Sequence, residues 1–96
     1  MPIVAVLESP TLTQDAYDEF TTWLSGKSRM ETPSDWPFEG LLAHIAGQGP
    51  HGFRVVDVWE SDEAFRRFGE TLMPILQTLG IDVEPEVYPA HAFVTA

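Results

Sequence analysis

Cysteine is absent from the 96-residue sequence, which excludes disulfide bonds, thiolate nucleophiles and cysteine-based metal sites within the chain. Long apolar runs are also missing, since the longest aliphatic run near the N-terminus, Ile3 to Leu7, is far too short to span a membrane. No basic residue precedes Lys27, so the positively charged start of a signal peptide is lacking. These absences lead us to expect a soluble protein of the cytoplasm with no membrane partner.

Positive charge is scarce: five lysines and arginines stand against 15 aspartates and glutamates, which gives a net charge of −10. A surface with this balance repels phosphate backbones and anionic lipid headgroups, so nucleic-acid and membrane-surface roles are disfavoured. Residues 1–96 are long enough for a single domain only. The 44% hydrophobic content is high for so short a chain, and dimerisation would bury apolar surface that a small core cannot.

Alternating and helical periodicities divide the chain into six elements. Apolar β-branched runs between turn residues predict strands at residues 3–8, 40–47, 52–60 and 86–95. An apolar repeat every four residues predicts a helix of about a dozen residues that ends at Gly26, and Thr11 with Gln14 forms a capping-box pattern before it. A second helix is expected after the N-cap Ser61, and the proline-containing residues 27–39 predict a loop.

Pro74 lies inside the apolar stripe of the second helix. Its ring lacks an N–H group and clashes with the carbonyl of the preceding turn. We therefore expect the helix to break or kink between residues 69 and 74, so that two helical pieces share residues 62–79.

The predicted order β-α-β-β-α-β is that of the split βαβ motif. It indicates an α+β, ferredoxin-like fold, in which a four-stranded antiparallel sheet carries both helices on one face. The first and third strands are apolar on both faces, whereas two helices cover only one. A second copy of the sheet is the simplest cover for the other face, so we expect a homodimer.

Residues 47–52 read GQGPHG and match the G-x-G-x-x-G pattern of dinucleotide-binding turns. That fingerprint needs a helix to open inside the turn, because the N–H groups at the helix start hold the pyrophosphate. Here Pro50 interrupts the turn and a valine-rich strand follows it. The stretch therefore predicts a glycine-rich hairpin loop with His51 exposed at its tip.

An acid, Asp57, lies among the valines of the third strand, where a buried carboxylate needs a partner or a catalytic role. The hairpin register decides whether His44 shares its face of the sheet. A two-residue loop would place His44 directly opposite Asp57, but Pro50 fits the positive φ of the usual two-residue turns badly. We favour a four-residue loop, with His44 opposite Val55 and diagonal to Asp57. A three-residue loop would place His44 on the other face.

Two interpretations of the acid stay open. In one, His44 acts as a general base and Asp57 holds its imidazole in a single tautomer. In the other, Asp57 is a structural acid that accepts hydrogen bonds or pairs with an arginine and does no chemistry. Trp59 is likewise either a pocket residue or a core aromatic under the second helix. The three histidines lack the close spacings of a metal motif, so we expect no metal site. We expect no cofactor either, since the dinucleotide fingerprint fails and no P-loop appears. His91 is interpreted as a core or interface residue.

The passage GFRVVDVWESDEAFRRF, followed by LMPILQTLGI and a closing strand with a histidine, resembles the antibiotic-biosynthesis-monooxygenase-like proteins of the dimeric α+β barrel superfamily. The resemblance covers nearly the whole chain and implies a homodimer with a pocket between sheet and helices in each subunit. Some members are cofactor-independent oxygenases of polycyclic aromatics, others degrade haem or cyclise polyketides, and many have no known activity. Trp59 matches the strand tryptophan of the haem-degrading branch, but the strand-1 asparagine and the helix histidine of that branch are missing here.

We expect a pocket with aromatic walls and with His44 and Asp57 as its catalytic, polar groups. The aromatic wall residues are Trp23, Trp36, Trp59, Phe65 and Phe68. The first functional hypothesis is a cofactor-independent oxygenase, in which His44 removes a proton from a small aromatic or polyketide-like substrate. Two alternatives stay open: a non-catalytic binding protein for an apolar metabolite, and a polyketide cyclase or isomerase that uses the same base without oxygen.

Overall fold

The computed structural model describes residues 1–26, 35–36 and 38–96. The strands are β1 (Ile3–Ser9), β2 (Leu41–Gly49), β3 (Gly52–Trp59) and β4 (Glu86–Pro89), and the helices are α1 (Gln14–Ser25) and α2 (Asp62–Thr78). Within these described ranges, no helix is both long enough and apolar enough to cross a membrane. Most of the loop predicted at 27–39 lies outside the described residues.

The four strands form one antiparallel sheet in the order β2-β3-β1-β4. Both helices pack on the same face, because their buried residues join the inward-facing residues of the sheet in one core. The core residues contributed by β1 and β3 are Ile3, Ala5, Leu7, Phe53, Val55 and Trp59. The element order and the strand pairing confirm the predicted ferredoxin-like α+β fold.

Both helices begin at hydroxyl caps. The Ser61 side chain accepts a hydrogen bond from the Ala64 N–H, as expected for α2. At α1 the cap is Thr13, whose side chain accepts from the Ala16 N–H, so the predicted capping box at Thr11 is wrong. The hydroxyl of Thr11 instead bonds the backbone of the segment before β4, at 2.8 and 3.0 Å. Leu12, which lies between the two threonines, is buried in the core, and Thr11 lies outside the helix.

The β2–β3 hairpin closes with a two-residue loop, since Gly49 pairs with Gly52. The four-residue loop favoured from the sequence is therefore wrong, and His44 lies directly opposite Asp57. The objection to Pro50 assumed a turn with positive φ, but no described residue other than glycine has positive φ. Pro50 instead takes the second position of the turn, where its own φ fits, and Gly52 supplies the unusual angle of 139°.

Helix α2 continues without interruption through Pro74, so the predicted division into two pieces is wrong. The helix tolerates the proline because Pro74 and Glu70, whose carbonyl loses its hydrogen bond, are both exposed, and water can solvate that carbonyl. The opposite side of the helix buries Leu72 and Leu76 in the core. This tertiary packing stabilises the helix across the missing bond.

Strand β4 is shorter than predicted and covers Glu86–Pro89 instead of 86–95. Pro89 favours the end of the strand at this position, because proline has no N–H group with which to continue the hydrogen-bond ladder. The Ala90 N–H still donates to the Pro2 carbonyl at 3.0 Å, but His91 and the residues after it are exposed. The exposure of His91 contradicts its interpretation as a core residue and leaves the interface interpretation open.

Gly52 is the glycine on which the hairpin depends. A Cβ atom there would lie 2.0 Å from the carbonyl oxygen of Ser9, and a φ of 139° is rare for any other residue. We expect Gly52→Ala to lower the free energy of unfolding by about 1–3 kcal/mol or more. Gly69→Ala is the matched control, since a Cβ at that helical position meets nothing within 4 Å, and it should raise the free energy of unfolding by about 0.5–1 kcal/mol. Equilibrium denaturation measures both changes, and equal effects would contradict the assigned turn.

Candidate functional site

A hydrogen bond between His44 of β2 and Asp57 of β3 forms the centre of the site. The Nδ1 atom of His44 and the Oδ1 atom of Asp57 are 2.6 Å apart, well within hydrogen-bond distance. Asp57 is 1% exposed, so the bond gives the buried carboxylate the partner that its burial demands. The hairpin register creates this contact by placing the two residues opposite each other on the helix-facing side of the sheet.

The other two histidines do not join the pair. His51 is exposed at the hairpin tip, as expected, and His91 is exposed beyond β4. In the described part of the chain, no three histidine, aspartate or glutamate side chains form a group that could hold a metal ion. Among the histidines, the site is therefore built on His44 alone.

A third residue, Tyr17 of α1, extends the pair into a chain of hydrogen bonds. Its hydroxyl oxygen lies 2.5 Å from Nε2 of His44, the ring nitrogen that does not contact Asp57. The Tyr17 ring is buried, with its centroid 5.3 Å from that of Phe20 and 5.1 Å from that of Phe53. These two contacts, one from α1 and one from β3, hold the phenol oxygen at the imidazole.

The chemistry of the three groups determines which atom donates in each bond. A carboxylate only accepts hydrogen bonds, so Nδ1 of His44 carries the proton that it shares with Asp57. In a neutral imidazole Nε2 is then bare, and it accepts from the hydroxyl of Tyr17. The three residues form a relay, defined as Tyr17, His44 and Asp57, along which a proton can pass from the phenol to the imidazole.

Burial raises the pKa of the Tyr17 phenol to about 12, and the negative charges of Asp57 and Asp18 add to this effect. At neutral pH the hydroxyl therefore keeps its proton and is available as a donor to His44. A phenolate in this position is disfavoured, because it would be poorly solvated and would lie near a buried carboxylate.

The relay borders an outer cleft between the start of α1 and the edge strand β2. This cleft has a volume of about 390 Å³, which is within the range of small-molecule sites. Tyr17 and His44 line it together with Gln14, Asp18, Ala46, Gly47, Gln48 and Phe53. The mixed lining suits a ligand with an apolar body and a few polar groups.

The relay also borders an inner cavity in the core between the sheet and the helices. Its lining is apolar except for His44 and Asp57, and Trp36 stacks on His44 there with ring centroids 6.0 Å apart. The volume of this cavity is about 10 Å³, which is room for about one water-sized molecule. An aromatic substrate therefore does not fit in the inner cavity in this conformation.

The five aromatic residues expected to wall the pocket fall into two groups. Trp36 and Phe68 line the inner cavity. Trp59 is fully buried against α2 and stacks on Phe68 with ring centroids 4.9 Å apart, as a core aromatic does. Phe65 packs against the core, and Trp23 is 58% exposed on α1. Trp59, Phe65 and Trp23 line neither the outer cleft nor the inner cavity, so a role for them in substrate binding stays a prediction.

Tyr17 is the site residue that the sequence analysis did not identify. The apolar repeat every four residues that predicts the first helix consists of Leu12, Ala16, Phe20 and Leu24. Tyr17 lies one position away from this repeat. A stripe that allows spacings of three as well as four places Tyr17 on the buried face with Phe20. A phenol on an apolar helix face is itself a signal, because a buried tyrosine hydroxyl usually has a hydrogen-bond partner.

We expect the fold to lose stability between about pH 10 and pH 12. The pKa of Tyr17 is raised from 10.0 to about 12 by folding, so the protonated phenol stabilises the fold fully below pH 10. This contribution is lost as the pH rises through 12. Titration of tyrosine absorbance in the wild-type chain and in Tyr17→Phe isolates the ionisation of Tyr17, because Tyr88 is the other tyrosine. A Tyr17 that ionises at its ordinary pKa would contradict its burial in the relay.

Comparison with known proteins identifies relatives by structure. No family model matches the sequence, and no curated protein matches it. The chain is similar in structure to SnoaB, a cofactor-independent oxygenase from Streptomyces nogalater. A mutant of SnoaB is 14% identical with a TM-score of 0.61, and the match covers 99% of this chain and 98% of that one. A second SnoaB structure is 14% identical with a TM-score of 0.56 and coverages of 99% and 96%.

A candidate antibiotic biosynthesis monooxygenase from Deinococcus radiodurans is similar as well. It is 13% identical with a TM-score of 0.52, and the match covers 100% of this chain and 98% of that one. At such low identity the likeness establishes the fold and not the reaction. The chain therefore shares with SnoaB and this second protein the ferredoxin-like α+β fold that its sequence predicted.

Proposed function

We propose that this protein is a cytoplasmic, cofactor-independent oxygenase that binds a small aromatic or polyketide-like molecule and removes a proton from it. The observation that carries the proposal is the buried hydrogen bond between His44 and Asp57 at the side of a cleft large enough for such a ligand. A neutral imidazole held by a carboxylate is the usual arrangement of a general base. The structural similarity to SnoaB, a cofactor-independent oxygenase, supports the same reaction class.

Proton removal is the step that would replace a cofactor. The proton goes to His44, and Asp57 stabilises the imidazolium through the Nδ1–H group. The resulting substrate anion is electron-rich and gives one electron to O₂, which produces a substrate radical and superoxide. These two combine into a peroxide anion, which takes the proton back from His44 and leaves as a hydroperoxide. The protein thus supplies a base and a binding site, while the substrate supplies the electrons.

The substrate is proposed to bind in the outer cleft. The inner cavity is too small for it, although a widening of that cavity would bring Trp36 and Phe68 into contact with the ligand. We retain these two aromatic residues as candidates for substrate binding. Trp59 would contribute through packing, because its ring stacks on the ring of Phe68.

An isomerase or cyclase that acts on the same class of substrate is the second candidate. The observation that favours it is the composition of the relay, since Tyr17, His44 and Asp57 are acid–base groups that move protons without any oxidant. Uptake of O₂ during turnover separates the two enzymes. Tight binding without turnover would instead indicate a protein that binds an apolar metabolite.

Homodimer formation is part of the proposal. The sheet face opposite the helices carries the strand residues that alternate with Asp57, including Val56 and Val58 of β3. On the same face Ile45 is 66% exposed and Tyr88 is 46% exposed. A second copy of the sheet would bury this apolar face, as an obligate interface does.

We expect the protein to be a dimer of about twice 10.7 kDa at low micromolar concentration. Ile45→Glu should convert it to a monomer, because the new carboxylate would be buried in the proposed interface without a partner. Gln77→Glu, on an exposed position of α2, adds the same charge and should leave the dimer intact. Light scattering measures both masses, and a folded wild-type monomer at that concentration would contradict the proposed interface.

We expect the wild-type chain to consume O₂ with an electron-rich aromatic such as an anthrone, in buffer that contains a chelator and no flavin. His44→Gln and Asp57→Asn should lower kcat by about 10²–10⁴-fold with the fold retained, because they remove the base or its stabilising charge. His51→Gln is the matched control, since His51 is exposed at the hairpin tip and should leave kcat unchanged. An oxygen electrode and circular dichroism provide the two measurements.

The same variants also test the structural interpretation of Asp57. If the carboxylate serves only the fold, Asp57→Asn should lower the free energy of unfolding by about 1–3 kcal/mol and leave the activity of the folded fraction intact. That outcome would overturn the catalytic assignment of Asp57, and the activity of His44→Gln then decides that of His44.

A further inference from the structure

We infer that Tyr17 is the catalytic residue that contacts the substrate, and that it passes the substrate's proton on to His44. This inference rests on the proposed proton removal and assigns the first contact to a different atom. His44 then receives the proton from Tyr17, and Asp57 stabilises the protonated His44.

Both ring nitrogens of His44 already take part in hydrogen bonds. Nδ1 is 2.6 Å from Asp57, and Nε2 is 2.5 Å from the hydroxyl oxygen of Tyr17. A neutral imidazole offers one donor and one acceptor, and both are used here. A ligand in the outer cleft therefore cannot bond a nitrogen of His44 without displacing Tyr17.

Tyr17, in contrast, retains capacity to accept a hydrogen bond. A phenol has one donor and two acceptor lone pairs, and Tyr17 uses its donor on His44. The residue also lines the outer cleft, next to Gln14 and Asp18 of α1 and across from Gln48 of β2. A ligand in the cleft can thus donate its acidic hydrogen to the phenol oxygen while the relay stays intact.

The step moves two protons and no electrons. The ligand's proton forms a bond to the oxygen of Tyr17 as the hydroxyl proton of Tyr17 forms a bond to Nε2 of His44. The ligand becomes an anion, Tyr17 is again a phenol, and His44 becomes an imidazolium whose charge Asp57 balances. Because burial raises the pKa of Tyr17 to about 12, a phenolate does not accumulate between the two transfers.

The first test uses 4-nitrophenol as the probe, because its phenol and its yellow phenolate are distinguished by absorbance. We expect binding to the wild-type chain to increase the phenolate fraction above that of free dye at the same pH. Tyr17→Phe should abolish this increase while it changes the dissociation constant by no more than about tenfold, the effect of one lost neutral hydrogen bond. His51→Gln is the control, since His51 is exposed at the hairpin tip and does not line the outer cleft, and it should change neither quantity.

Two outcomes of this test overturn the inference. If the dye is still ionised by Tyr17→Phe, the proton reaches His44 directly and Tyr17 is not part of the proton path. If the wild-type chain does not bind or ionise the dye, the outer cleft does not present the relay to an acidic hydrogen.

The second test measures turnover and couples two variants. Tyr17→Phe should lower kcat by about 10²-fold or more with little change in KM, because the binding surface is kept while the proton path is cut. The double variant Tyr17→Phe with His44→Gln should lose no more than His44→Gln alone, since residues that act as a unit are not additive. Losses that multiply would overturn the relay.

A measurement on the unmodified chain keeps the inference testable even if Tyr17→Phe does not fold. Long-range ¹H–¹⁵N spectra of the neutral His44 ring should show a protonated Nδ1 and a bare Nε2. A protonated Nε2 would overturn the inference, because Tyr17 would then be the acceptor. The dye test and the oxygen-electrode test can also disagree. If ionisation of the dye depends on Tyr17 but the electron-rich aromatic causes no O₂ uptake, the oxygenase is refuted and the inference stands.

Discussion

The burial of one carboxylate is the constraint on which the site depends. Asp57 is 1% exposed in the middle of the sheet, where an unpartnered charge is costly. The partner is His44 at 2.6 Å, and only a register that sets the two residues opposite each other brings it there. The same bond decides which imidazole nitrogen carries the proton, and thereby makes the hydroxyl of Tyr17 a donor. Register, electrostatics and proton placement are consequences of one interaction.

Helix α1 and the β2–β3 hairpin meet at this interaction, and the fold determines the different surroundings of the three elements. Strand β2 lies at the edge of the sheet, so His44 has the outer cleft on one side and the core on the other. Strand β3 is internal, which keeps Asp57 out of the outer cleft and places it against the core. Helix α1 brings Tyr17 to the cleft side. The arrangement exposes the relay to small molecules at one end and keeps its charge buried at the other.

Local rules predicted the helices and strands well, but they predicted the structural effects of Pro50 and Pro74 badly. Periodicity and caps are properties of a few neighbouring residues, so the order of strands and helices and the N-cap Ser61 follow directly from the sequence. The effect of Pro74 depends on which side of α2 is exposed and on how much the other side buries. The effect of Pro50 depends on the conformation of the glycine two residues later, Gly52. The first condition depends on tertiary packing, and the second on a backbone angle that residue identity alone does not fix, which explains why both expectations were wrong.

The sequence by itself determined that a sheet residue, Asp57, would need a partner, because its neighbours in the strand are apolar on both faces. It narrowed that partner to His44 without deciding it, since a shift of one residue in the hairpin exchanges the faces of a strand. Only the tertiary structure decided the register and added Tyr17, which is 27 residues from His44 along the chain. The physical reason is that a helix can approach a sheet in many ways, and packing of Tyr17 between Phe20 and Phe53 selects the one that forms the relay.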